Sequence, residues 1–224
     1  MINLKTLNNE QKKAVRQTDG PIMIVAGAGS GKTRVLTYKV AYLIDKGVNP
    51  ENILALTFTN KAANEMKERI RELVGAKASS IWMGTFHSIF ARILRIESKQ
   101  IEYKSNFSIY DTEDSQSLVQ NIITNLNIEL EAITPNSVRH KISFFKNQMV
   151  LPEVFKKKHV HSFIDEKVAE IFEEYQKRLN ENTAMDFEDL LLKPIELFNK
   201  KKKIHQKYKK KFKYILVDEF QDTN

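Results

Sequence analysis

Short apolar runs that suit buried strands alternate along this chain with amphipathic stretches that suit helices. That alternation constrains the fold more than any other feature. PIMIVA (residues 21–26), ENILALTF (51–58), SIWMGT (80–85) and YILVDEF (214–220) are the strand candidates. TRVLTYKVAYLI (33–44), NKAANEMKERIRELV (60–74) and SIFARILRIES (88–98) lie between them and continue as helices. In the second of these, Ala62, Ala63, Met66, Ile70 and Leu73 share one helical face. Runs that are apolar throughout suit strands covered on both faces, and strand–helix–strand order implies a parallel sheet with right-handed crossovers. The predicted class is α/β.

The pattern changes near Asp111. FIDEKVAEIFEEYQKRL (163–179) places Ile164, Val168, Ile171, Phe172, Tyr175 and Leu179 at helical period. Asp186 is placed to cap FEDLLLKPIELF, where Pro194 predicts a kink. The sequence therefore predicts an α/β domain over 1–111 and 183–224, interrupted by a helical insertion over 112–182. At the N-terminus, Asn8 and Gln11 have the spacing of a helix start, giving a short helix over 9–17.

The phosphate-binding candidate is AGAGSGKT, residues 26–33, between a predicted strand and a predicted helix. The strict pattern asks for glycine where Ala26 stands. Gly27, Ala28, Gly29, Ser30 and Gly31 still form a flexible segment whose N–H groups can turn inward, and the helix start adds a partial positive charge. In such a loop Lys32 neutralises the β- and γ-phosphates and Thr33 binds Mg²⁺. A second acid must reach that metal from a neighbouring strand, and Asp218, at the end of ILVDE, fits the place. Glu219, one residue on, is placed to orient or deprotonate a water.

Charge is uneven. The chain carries a net +8, but residues 200–213 hold nine lysines and no acid, and the rest has 27 basic against 28 acidic residues. One stretch is basic, either as a solvated helix face or as a contact for a polyanion. There is no cysteine, and neither a signal-like leader nor an apolar window long enough for a membrane span occurs. These features predict a cytoplasmic protein that engages no membrane.

Several stretches together resemble the N-terminal part of the superfamily 1A DNA helicases, the UvrD/Rep/PcrA-like group. LNNEQ (7–11) resembles the family's adenine-reading Q motif and AGAGSGKTRVL (26–36) its motif I, including the alanine. ALTFTNKAANEMKERI (55–70) resembles motif Ia, GTFHS (84–88) motif Ib and VDEFQDTN (217–224) motif II, and MDFEDLL (185–191) also recurs there. The resemblance covers essentially the whole chain.

It implies a RecA-like P-loop NTPase domain, subdomain 1A, with the insertion as subdomain 1B. It also implies use of ATP and Mg²⁺ and 3′–5′ movement on single-stranded DNA and at single/double-strand junctions. Gln11 would read adenine, or complete only the cap begun by Asn8; Arg34 would help hold the nucleotide, or be solvated. Phe58, Thr59 and Asn60 would meet single-stranded DNA, Phe58 by stacking, although Thr59 or Asn60 could simply cap a helix. Thr85 and His87 pose the same choice at the next strand end, while Trp82 and Phe86 read as core. In the insertion, Lys141, Lys146 and Lys156 to Lys158 would touch duplex backbone or remain solvated.

The family's later motifs and its second RecA-like domain have no counterpart here, so the chain reads as a fragment, inactive or very slow alone. Two rival readings stand beside it: the helicase part of a helicase–nuclease, and a nucleic-acid-binding module with an inert ATP site. In such sheets one more strand separates the loop strand from the acid-bearing strand. Without it, PIMIVA and YILVDEF are expected to pair directly or to receive another segment between them. In either case Asp218 is expected to sit displaced from Thr33.

Overall fold

A computed structural model describes residues 2–27, 29–129 and 131–222. The chain forms two compact units, residues 1–89 with 202–224 and residues 90–201.

In the first unit a capping box starts α1 (Asn9–Arg16): the Asn8 side chain accepts from the Gln11 N–H, and the Gln11 side chain accepts from the Asn8 N–H. There follow α2 (Lys32–Asp45), β1 (Ile53–Thr57), α3 (Asn60–Val74), β2 (Trp82–Thr85) and the start of α4 (Phe86–Ile96), which runs on into the second unit. The strands form a parallel sheet in the order β2–β1–β5, where β5 is Tyr214–Val217 near the C-terminus. Leu54 pairs with Trp82 and Leu56 with Val217.

Side chains alternate across a sheet, so Ala55, Met83 and Leu216 face one way. They pack there against Leu36 and Val40 of α2 and Met66 and Ile70 of α3. Trp82 faces the other way and meets Tyr208 and Phe212 edge-on, at centroid distances of 6.5 and 5.2 Å. These rings come from α10 (numbered in chain order, Lys202–Lys211) and the residue after it. The basic stretch is thus an amphipathic helix: Ile204 and Tyr208 are buried, while Lys202, Lys203, Lys209 and Lys210 are exposed.

One predicted strand is absent. Residues 21–27 have no regular secondary structure, and Met23 and Val25 are 71% and 88% exposed. They do not pair with β5, and no other described segment stands between the two, so the expected pairing does not form within this chain. An apolar run becomes a strand only when a neighbour about 4.8 Å away accepts and donates its ladder bonds. Among the described residues β1 is the only strand beside β5, and residues 21–26 make no ladder bonds, the Ala26 carbonyl accepting instead from the Lys32 ammonium.

The second unit is mostly helical: the rest of α4, then α5 (Thr112–Asn125), α6 (Pro135–Asn147), α7 (Pro152–Lys158), α8 (Phe163–Glu181) and α9 (Phe187–Lys200). Its main core joins Val119 and Ile122 of α5, Val138 and Ile142 of α6, Phe155 of α7 and Phe172 of α8. The helix α9 continues through Pro194. Two short strands, β3 (Ser108–Ile109) and β4 (Ala184–Met185), pair in parallel. The unit is wider than the insertion predicted over 112–182. Ala91 and Leu94 of α4 pack with Phe107, Met185 and Leu190, which draws both flanks into it.

Candidate functional site

The glycine-rich loop leads into α2 through two left-handed residues, Gly29 at φ +75° and Gly31 at φ +87°. A Cβ at position 31 would stand 2.9 Å from the Gln11 amide nitrogen, the end of a flexible side chain that can shift, so it is the φ that asks for glycine there. Gly31 is the N-cap of α2 and supplies no side-chain cap, nor does an acid sit in the first turn. The first N–H groups of α2 therefore lack an intrahelical partner and carry the positive end of the helix dipole. Lys32 opens the helix and folds back over the loop, donating to the Ala26 carbonyl at 3.0 Å and the Gly27 carbonyl at 3.2 Å. The Ser30 hydroxyl donates to the Gly27 carbonyl at 2.7 Å. Ala28 lies outside the described residues.

Gln11 is engaged at both ends. Its carbonyl oxygen closes the capping box, and its amide nitrogen donates to the Ser30 carbonyl at 3.0 Å. The helix α1 rests on α2 through Leu7, Val15 and Val35, and this packing brings Gln11 to the loop. The Arg34 guanidinium lies 5.7 Å from the Tyr38 ring centre, and the Tyr38 hydroxyl pairs with that of Thr6 at 3.0 Å. The Thr6 hydrogen bond, assisted by Arg34, holds the Tyr38 phenol below its ordinary pKa. Tyr38 and Thr6 are part of this surface although the sequence reading did not select them.

The longest-range link in the site joins residues 185 positions apart. The Thr33 hydroxyl donates to an oxygen of Asp218 at 2.8 Å, so the predicted displacement of Asp218 does not occur. The reason lies in the packing. Asp218 extends the β1–β5 ladder by donating its N–H to the Leu56 carbonyl at 2.8 Å, and α2 is fixed over the same sheet face by its apolar side. Neither anchor needs residues 21–26 in a strand. Asp218 is buried, and its other oxygen accepts the Glu219 N–H at 3.2 Å. Glu219 has φ +52°, a sparsely populated conformation for a side-chain-bearing residue that turns the chain sharply at the strand end. Its carboxylate accepts from the Gln221 amide.

Because the three strands are parallel, the residues after β1, β2 and β5 emerge at one edge. Phe58 is 55% exposed there. The Thr59 hydroxyl caps α3 by accepting from the Ala62 N–H at 3.1 Å, and Asn60 is exposed at the first helical position. Thr85 is buried and accepts from the Ser88 N–H at 3.2 Å, while His87 is half-buried. Thr59 and Thr85 are thus both committed to helix starts. Trp82 is core as predicted, whereas Phe86 is only half-buried.

In the second unit Lys146 is 1% exposed, which overturns its reading as a surface contact for a duplex. Its ammonium donates to both oxygens of Asp186, at 2.8 and 2.7 Å, and pairs with Asp189 at 2.9 Å. Tyr175 adds a hydroxyl donor to Asp186 at 3.1 Å. Burial alone would lower the Lys146 pKa, but Asp189 and Asp186 outweigh it and hold the ammonium above its ordinary value. Burial pushes the Asp186 carboxyl up to about 6 against the attraction of Lys146. Lys141 pairs with Asp165 and Lys156 with Glu173, while Lys157 and Lys158 are exposed.

The structure thus brings together a glycine-rich loop at a helix start and, through a hydroxyl, a buried strand-end acid. The chain belongs to the UvrD/REP helicase N-terminal domain family, whose model matches residues 7–224. It is 47% identical over 222 residues to the ATP-dependent DNA helicase PcrA of Staphylococcus epidermidis, and 46% identical to the helicases of that name from Bacillus subtilis and Staphylococcus aureus. Each match covers 99% of this chain and 30% of the relative's length. Among the described residues no helix is long and apolar enough to cross a membrane.

Proposed function

We propose that this chain is the ATP-binding part of an ATP-dependent DNA helicase that moves 3′–5′ along a single strand and opens junctions with duplex. In this reading the first unit is a RecA-like P-loop NTPase domain, subdomain 1A, and the helical unit is subdomain 1B. A cytoplasmic location goes with it. The observation that carries the reading is the 2.8 Å contact between Thr33 and Asp218, which ties the phosphate-loop helix to the acid-bearing strand. Family membership and the relatives' names support it.

Each residue then has a task. The free N–H groups at the start of α2 and the backbone of residues 27–31 would receive the phosphates, with Lys32 leaving its carbonyl partners to neutralise them. Thr33 and Asp218 offer hard oxygen donors, the set that suits Mg²⁺. The metal, when bound, supplies charge neutralisation on the β- and γ-oxygens. Glu219, just beyond Asp218, would orient the attacking water and accept its proton. Gln11 would exchange its bond to the Ser30 carbonyl for the adenine edge, and Arg34 would lie beside the nucleotide. Phe58 offers a stacking face to a base, with Thr59, Asn60, Thr85 and His87 along the same edge. A second RecA-like domain, supplied by the rest of such a protein, would close the other side of the nucleotide.

Equilibrium binding of a fluorescent ATP analogue in Mg²⁺ tests the reading. The 224-residue chain should bind it weakly, and Lys32→Ala should abolish binding. A Lys32→Ala protein that binds as well as the parent chain would refute the phosphate-loop assignment.

A further inference from the structure

Thr57 closes β1 and is 1% exposed. Its hydroxyl is one of two buried side-chain polar atoms without a hydrogen-bond partner among the described residues. Buried hydroxyls in folded proteins are almost always paired, because an unmade bond there is costly. A valine would fill the same space without that penalty, so the hydroxyl needs another explanation.

Its position supplies one. Ile53 and Ala55 face α2 and α3, and by strand alternation Thr57 faces the same way. On β5, Leu216 also faces that side, which puts Asp218 there too. Leu56 is level with Val217, so the next pair in register is Thr57 and Asp218. The bond from the Asp218 N–H to the Leu56 carbonyl continues the ladder to that point. Adjacent strands lie about 4.8 Å apart, a gap that a hydroxyl on one Cβ and a carboxylate on the next close to hydrogen-bond range. A threonine hydroxyl moves between staggered positions by rotation of one bond. Asp218 has capacity left, because a carboxylate offers roughly four acceptor positions and two are used, by Thr33 and by the Glu219 N–H.

We propose that Thr57 is a positioning residue for the Asp218 carboxylate: its hydroxyl turns to donate to Asp218, directly or through one water, when the metal and nucleotide bind. Asp218 is then held from three sides, by Thr33 on α2, by the Glu219 N–H in its own turn and by Thr57 on β1. The inference rests on the ATP-site reading above.

The test compares the 224-residue chain with Thr57→Val and Thr57→Ser. Two quantities are measured: the thermal midpoint without ligand, and the dissociation constant for Mn²⁺ in the presence of ADP by electron paramagnetic resonance. Thr57→Val should keep or raise the midpoint and weaken Mn²⁺ binding about tenfold, the scale of a hydrogen bond to a charged group. Thr57→Ser should restore the binding. Unchanged Mn²⁺ binding in Thr57→Val would overturn the proposal while leaving the ATP site intact. A lowered midpoint with no rescue by serine would reduce Thr57 to a packing role. If the parent chain itself fails to bind Mn²⁺ with ADP, both readings fall.

Discussion

Lys146→Met should be among the most damaging single changes in the helical unit. It replaces a long side chain by an apolar one of similar length and leaves Asp186 and Asp189, both at least 97% buried, without their cation. Breaking a buried pair in this way typically costs about 3–5 kcal/mol, because a charge remains in a medium that solvates it poorly. At about 2–4 °C per kcal/mol for a chain of this size, the thermal midpoint should fall by roughly 6–20 °C. Adding Asp189→Leu to Lys146→Met removes one of the stranded charges and should recover part of the loss. The pH dependence follows from Asp186. Its folded pKa, about 6 with Lys146 present, lies above the unfolded value and rises further without the ammonium. An acid that holds its proton more tightly when folded penalises the fold above its folded pKa and is relieved as pH falls toward its unfolded value. The deficit of Lys146→Met should therefore be largest near pH 7 and narrow toward pH 4, followed by circular dichroism melts. A loss under about 1 kcal/mol, or a deficit that widens on acidification, would refute the account of a buried charge cluster.

Two further changes probe the first unit. Phe58→Ala should weaken single-strand binding by roughly 1–3 kcal/mol without altering its dependence on salt, since stacking displaces no counterions; titrations of an oligothymidylate at several salt concentrations would show it. Gly31→Ala should destabilise the chain by about 1–2 kcal/mol, read from urea denaturation, because φ +87° is strained for alanine.

What could be read from the sequence depended on how local the signal was. The capping box at Asn8 and Gln11, the Asp186 cap and the apolar period of α8 are written within a few residues, and each appears as predicted, except that Ile164 in the first turn of α8 is exposed. Residues 21–26 carry as strong an apolar run as residues 53–57, yet only the latter form a strand. The difference is the neighbour: β1 lies between two strands, and the earlier run has none beside it. Lys146 was misread because a lysine in an amphipathic helix usually faces water. The contrary signal was available, since Val138, Ile142 and Lys146 follow at intervals of four and so share the buried stripe of α6. Thr57 carried a similar hint as the third inward position of β1 after Ile53 and Ala55, but its meaning depends on the register with β5, which no local pattern gives.

The geometry of the candidate site separates two functions that a phosphate loop's strand is usually thought to combine. One is to anchor the helix that follows the loop; the other is to bring that helix to the acid. Here α2 reaches the sheet through its own apolar face, with Leu36, Val40, Leu43 and Ile44 set against β1 and its neighbours. Burying four such side chains contributes on the order of several kcal/mol, more than the single hydrogen bond between Thr33 and Asp218 could supply. The Thr33–Asp218 contact is thus a consequence of helix packing and of the β1–β5 register, and it persists although residues 21–26 form no strand. What the extended strand would add is the path of the loop itself, since Ala26 and Gly27 take their direction from the residues before them. Substitutions in the α2 apolar face should therefore disturb Thr33 and Asp218 first, and changes within 21–26 should act mainly on the loop carbonyls that now hold Lys32.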